Sequence, residues 1–194
     1  MVALAASCSS SDGWAEQERN LIDSAWEGGE GGVMRVLTIA DTTDLAILRS
    51  RCTDFSAGQI TSETYARLAR LMVNTVTSPE QDGVGIAGPQ VGILRRVVAV
   101  QRFDKEGEPF EVYPNISITA TRGEKAEGAE GCLSVPGRRG TVPRWQDIDI
   151  SYDGPDGATV TERVQGFTAV IFQHECDHLD GVIYTDRATE LTEE

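Results

Sequence analysis

Gln173-His174-Glu175-Cys176-Asp177-His178 contains the only two histidines of this 194-residue chain, four positions apart. At 3.6 residues per helical turn, the two imidazoles share one face and can converge on a single metal ion, while Glu175 projects beside them. His-Glu-x-x-His is the metallohydrolase spacing, in which the glutamate takes a proton from an activated water and returns it to the leaving group. The competing reading is a helix with two surface histidines. It fits poorly with Phe167-Thr168-Ala169-Val170-Ile171-Phe172 just before the motif, an apolar run that would bury the helix, and buried imidazoles need partners.

A catalytic centre of this type takes three protein ligands and keeps one position open. Asp180, Asp186 and Glu190 are downstream candidates. A better one lies upstream in Glu130-Gly131-Cys132-Leu133-Ser134, where a strand would carry the Cys132 thiolate towards the metal; a cysteine in such a setting is otherwise an inert core residue. Further upstream, Gly83-Val84-Gly85-Ile86-Ala87-Gly88-Pro89-Gln90 is a loop that lets backbone pass close to a ligand. It lacks the Gly-Lys-Ser/Thr ending of a phosphate loop, and Pro89 after Gly88 suits the helix start of a dinucleotide site poorly.

In this order and spacing the three segments resemble those of the peptide deformylase family, over roughly residues 34–187. That family carries Gly-x-Gly-Leu-Ala-Ala-x-Gln, Glu-Gly-Cys-Leu-Ser and Gln-His-Glu-x-Asp-His; here they read GVGIAGPQ (83–90), EGCLS (130–134) and QHECDH (173–178). Ile86 and Gly88 are departures, and the glycine is expected to loosen the loop holding Gln90. The resemblance implies hydrolysis of the N-formyl group of formyl-methionyl polypeptides, with release of formate. It implies Cys132, His174 and His178 as ligands of one divalent metal, Fe(II) in preference to Zn(II) or Ni(II), since a Cys/His/His set suits each. It also implies Glu175 as proton carrier, and the Gln90 amide with the Leu133 N–H as donors to the oxyanion.

For the substrate, the resemblance implies strand-like pairing with the backbone of Val84 and Gly85, and Glu130 is read with the substrate contacts. Phe167, Val170 and Ile171 lie at helical spacing before His174, as pocket lining for the methionine side chain or as ordinary core. Arg139 is either a contact for the peptide further along or a solvated loop residue. Cys176, two residues from His174, is on another helical face and reads as structural.

The fold expected is α+β: a single domain of antiparallel or mixed strands around a central metal-binding helix that starts near Phe167. A second helix, capped by Thr61 or Ser62, should run to about Thr77 with Tyr65, Leu68, Met72 and Val76 on one face. Strands are expected at Arg95–Arg102, Phe110–Thr119, Asp147–Tyr152 and Ala158–Gln165.

The chain is 40% hydrophobic with a net charge of −14, enough for one core and unfavourable to phosphate-directed nucleic-acid binding. It has no apolar run of 18 residues or more, as a spanning helix would need. Its four cysteines form no disulfide framework, in keeping with a reducing, cytoplasmic setting. Residues 1–33, with six acids against one arginine, read as a poorly ordered extension or a start-site artefact, and 34–194 as the catalytic domain. The short acidic stretch Ala188–Glu194 stands where some deformylases carry a basic helix, so weak or no ribosome docking is expected through it.

Overall fold

The computed structural model describes residues 13–26 and 31–193. Helices α1 (Glu16–Ala25), α2 (Thr42–Leu48), α3 (Ala57–Ile60) and α4 (Glu63–Val76) precede an antiparallel sheet of β1 (Gly85–Ala87), β2 (Val97–Gln101) and β3 (Phe110–Pro114). A second antiparallel sheet contains β4 (Ser117–Cys132), β5 (Val135–Asp153) and β6 (Thr159–Gln165). Helix α5 (Gly166–Leu179) follows, and the last strand, β7 (Glu190–Glu193), returns to pair with β5.

Burial explains why β2 shows no polar alternation. Successive side chains of a strand point to opposite faces, and here both faces are covered. Val97 and Ala99 join Trp14, Leu68, Met72 and Val76 on the α4 side, whereas Val98 and Val100 join Ile171 and Phe172 of α5. The same α5 face packs on Ile148, Ile150 and Val164 of the second sheet. The helix therefore lies between the sheets, and its last two turns carry His174, Glu175 and His178.

Helix α4 matches its expected start, because the Ser62 hydroxyl accepts the Tyr65 N–H at 3.2 Å. Leu68, Met72 and Val76 are fully buried. The expected strand over Phe110–Thr119 is instead two strands in different sheets. Asn115, at φ 54°, turns the chain between them, and its side chain bonds both the N–H and the carbonyl of Phe55.

The described part of residues 1–33 packs against the rest of the fold. Trp14 is completely buried against Phe55, with ring centroids 5.4 Å apart, and its indole N–H donates to Ser62 Oγ at 3.2 Å. Ile22 is also buried in α1, and Glu18 pairs with Arg95 at 2.6 Å. These apolar anchors outweigh the acidic composition. Residues 1–12 and 27–30 lie outside the described residues.

Candidate metal and catalytic centre

The β4–β5 hairpin closes through a two-residue turn, Leu133-Ser134, directly after Cys132. This delivers the thiol to the last turns of α5. The Cys132 Sγ lies 3.3 Å from His178 Nε2, and one ligand atom from each of Cys132, His174 and His178 falls within 4.8 Å of the others. Among the described residues no other trio of potential ligands clusters in this way. The downstream acids are engaged elsewhere: Asp180 bonds Arg96 at 3.0 Å and Asp186 bonds Arg49. Glu190 pairs with Thr141 in the β5–β7 ladder.

The donor set fits a divalent metal. Burial opposes ionisation of the Cys132 thiol, but the imidazoles of His178 and His174 outweigh it and hold the thiol well below its ordinary range. His174 Nδ1 is 2.8 Å from Glu130 Oε2, which leaves Nε2 for a metal and fixes the ring, a usual outer-shell arrangement. The His178 ring is fully buried, and its Nδ1 has no protein partner.

Glu130, expected as a substrate contact, lines the cleft and also holds the ligand ring. Its Oε1 accepts from Arg144 Nε at 2.7 Å and its Oε2 from Arg144 Nη2 at 3.0 Å as well as meeting His174. Burial would raise its pKa, but His174 and Arg144 together bring it to about 2. Arg144 continues to Asp177 at 2.6 Å, and Asp177 to Arg187 at 2.6 Å. A chain of alternating charge thus clamps the ligand helix to β4 and β5. Asp177 stands inside the helix motif and was visible there, whereas Arg144 carried no local signal.

Glu175 is 4% exposed, and its Oε2 has no hydrogen-bond partner. Burial pushes its carboxyl up to about 7. A Cβ built on Gly85 would come within 2.5 Å of Glu175 Oε1 and 2.8 Å of Ile171 Cγ2. The absence of a side chain at Gly85 is what lets β1 lie over the glutamate.

Gln90 sits in a one-turn 3-10 helix, Gly88–Val91, that Pro89 enters near its start. This corrects the reading of Pro89 as unsuited to a helix start, since proline gives up an N–H that the first turn leaves unbonded anyway. Gly88 does not loosen the loop either. A Cβ there would meet the carbonyl oxygens of Ile93 and Arg95 at 2.7 Å, so glycine permits close packing. The Gln90 Oε1 accepts the Ala87 N–H at 2.8 Å. Its amide nitrogen consequently faces Ser134 Oγ at 3.2 Å and the Cys132 sulfur at 3.6 Å.

A cleft of about 520 Å³ opens over these groups. Val84, Gly85, Gln90, Leu133 and Glu175 line its base, with Phe167, Val170 and Ile171 along one wall. Ile171 is buried, whereas Phe167 is 56% exposed and leans on Phe103 at 5.3 Å. Arg139 lies on the rim, exposed. Cys176 is buried with its thiol pushed up to about 12 by that burial, consistent with an inert core residue.

Comparison with known proteins agrees with this geometry. Residues 33–194 match the family model for polypeptide deformylase. A peptide deformylase of Desulforudis audaxviator is 44% identical over 126 residues, 64% of this chain and 80% of the relative. Peptide deformylase 1 of Bifidobacterium longum is 35% identical over 167 residues, 81% of this chain and 75% of the relative. The actinonin-bound class I type b peptide deformylase of Acinetobacter baumannii superposes with a TM-score of 0.71 at 36% identity, covering 81% of this chain and 99% of that one. The same enzyme has been seen with Met-Ala-Ser bound, with a TM-score of 0.71 at 35% identity over 80% of this chain and 98% of that one. The chain belongs to the polypeptide deformylase family, metal-dependent hydrolases that remove the N-formyl group from newly made polypeptides.

Proposed function

We propose that Cys132, His174 and His178 hold one divalent metal, Fe(II) in the native protein with Zn(II) or Ni(II) as substitutes, and that Glu175, Gln90 and Leu133 carry out deformylation around it. The observation that carries this reading is the convergence of three ligand atoms within 4.8 Å beside a buried glutamate with an unpartnered oxygen. A Cys/His/His set satisfies each of these metals. When bound, the metal supplies a Lewis acid that lowers the pKa of water towards neutrality.

The chain's own groups account for the rest. Glu175 Oε2 accepts the proton of the attacking water and delivers it to the departing amine nitrogen. Its raised pKa suits a group that must both take and give a proton near neutral pH. The Gln90 NH2, held in place because Ala87 occupies the amide oxygen, and the Leu133 N–H donate to the charge that develops on the formyl oxygen. Gln90 must be neutral for this, since a carboxylate would repel the same charge.

The formyl-methionyl chain enters as an added strand along Val84 and Gly85, and its thioether side chain lies against Phe167, Val170 and Ile171. Glu130 acts from behind the site by orienting His174, and Arg139 meets the peptide further along. Residues 34–194 form the catalytic domain, with residues 13–26 packed onto it. The protein works in the cytoplasm on nascent chains. Its net charge of −14 disfavours direct contact with nucleic acid, and docking on the ribosome through its acidic last strand is weak or absent. Among the described residues, no helix is long and apolar enough to cross a membrane.

The test is metal stoichiometry. Cys132→Ser should lose bound metal under conditions in which the parent retains one ion per chain, and the parent should be inhibited by a small hydroxamate. A Cys132→Ser protein with unchanged metal content would remove Cys132 from the centre.

A further inference from the structure

Besides the catalytic groups, the cleft is lined by Pro136, Gly137, Arg138 and Arg139. This segment belongs to β5, yet β4 does not pair with it. Glu130 stands opposite Gly140 and Cys132 opposite Val135, so two steps along β4 span five along β5 and the intervening residues bulge away. A strand displaced in this way leaves its backbone groups without the ladder that orders them.

The last strand pairs with the other edge of β5, where β4 does not reach. In β7, Glu193 pairs with Arg138, Thr192 with Arg139, Leu191 with Gly140 and Glu190 with Thr141. Two further contacts seat it: the Thr189 N–H donates to the Thr141 carbonyl at 2.8 Å, and a Cβ on Gly140 would lie 3.0 Å from Leu191 Cδ2, Ala188 Cβ and the Tyr184 ring. Tyr184, 1% exposed, donates its hydroxyl to the Arg138 carbonyl at 3.0 Å, while its ring stacks on His174 at 6.0 Å and 22°. The lip is thus tied from beneath by Tyr184 and along its outer edge by β7.

We propose that β7 is a specificity element of the cleft, holding the Pro136–Arg139 lip as the wall that receives the peptide from its third residue onward. This rests on the reading of the cleft as the peptide site. The element acts through the lip and touches neither the reacting atoms nor the metal ligands, so it is a positioning element. Its loss should affect only substrates long enough to reach the lip. Binding of a short substrate, which ends near Glu175, should not notice it.

The experiment compares the metal-loaded parent with two variants, one ending at Thr189 and one carrying Leu191→Asp. Formate release is followed from formyl-Met-Ala and from the longer formyl-Met-Ala-Ser-Ala-Ala. In either variant KM for the longer peptide should rise about three- to tenfold, the size of one lost ordered hydrogen bond. Its kcat, and both constants for formyl-Met-Ala, should stay within about twofold, a split expected when only ground-state binding is removed. An unchanged ratio of kcat/KM between the two peptides in both variants would overturn the proposal. Equal losses on both peptides would also overturn it, because β7 would then merely support the fold. If the truncated chain fails to fold, the Leu191→Asp protein decides alone. Turnover of formyl-Met-Ala by the parent checks the cleft reading separately.

Discussion

Replacing Gln90 by glutamate exchanges an amide NH2 for an oxygen at nearly constant shape, so it alters charge and donor capacity while leaving packing almost untouched. Gln90 is 1% exposed, with its Oε1 fixed by the Ala87 N–H at 2.8 Å. In Gln90→Glu one oxygen keeps that bond, and the other replaces the NH2 that faces Cys132 Sγ at 3.6 Å. Two unit charges at that distance repel by about 5 kcal/mol at an effective dielectric of about 20. A bound divalent ion offsets much of this, so metal binding should weaken without being abolished. The ion cannot restore the lost donor. Removing one preorganised oxyanion donor costs about 2.7–4 kcal/mol, or about 10²–10³ in kcat. The assay is steady-state formate release by the metal-replete variant, with metal content and melting temperature measured on the same sample. A kcat within about threefold of the parent, with metal bound and fold intact, would refute the role given to Gln90.

Other perturbations probe neighbouring parts of the account. Glu175→Ala should keep its metal and lose about 10²–10⁴ in kcat, the range for a positioned proton carrier; metal analysis beside the rate measurement checks both halves. Gly85→Ala places a methyl 2.5 Å from Glu175 Oε1, and should lower kcat at least about tenfold through displacement of that oxygen; a normal rate would mean the glutamate has room to move. Trp14→Ala should cost about 3–5 kcal/mol in urea unfolding, as for a large buried aromatic, and a change below about 1 kcal/mol would show that α1 is dispensable. The Asp104 carboxyl is held below the usual carboxylate range by its bond to Arg102. Its stabilisation is therefore complete above the unfolded pKa of about 3.9 and is lost as pH falls through the depressed folded value. Denaturation between about pH 5 and about pH 2 should show a shallower pH dependence for Asp104→Asn.

Much of the centre was legible in local sequence because its parts are local. The two histidines and Glu175 lie within one and a half turns, and Cys132 and Gln90 each stand in a short motif whose neighbours shape the backbone around them. Helix α4 was legible for a similar reason: Ser62 sets its start, and an apolar stripe gives it a face. The long β4–β5 hairpin was not. Arg122-Gly123-Glu124-Lys125-Ala126-Glu127-Gly128-Ala129 is solvent-exposed along its length, and register shifts between Ile118 and Ala120 and between Arg122 and Lys125 break any two-residue period. Its strand character comes from backbone pairing, which side-chain patterning does not report.

Composition says little about packing at the N-terminus. The acids of α1 face solvent, Arg95 or Arg67, while Trp14, Leu21, Ile22 and Trp26 join the core of α4; their spacing was the signal that charge counting masked. The part played by Glu130 was hidden for another reason. Its partners Arg144 and His174 lie 14 and 44 residues away in sequence, and only the closure of the second sheet on α5 brings them together. Local motifs thus name the atoms that react, whereas the groups that aim them depend on tertiary pairing.

The most direct test is formate release from formyl-Met-Ala-Ser by anaerobically prepared, Fe(II)-loaded protein, with Glu175→Ala run in parallel. The account predicts release by the parent and release at least about a hundredfold slower by the variant, with metal bound in both. Silence from both metal-bound proteins, or equal release by both, would contradict it.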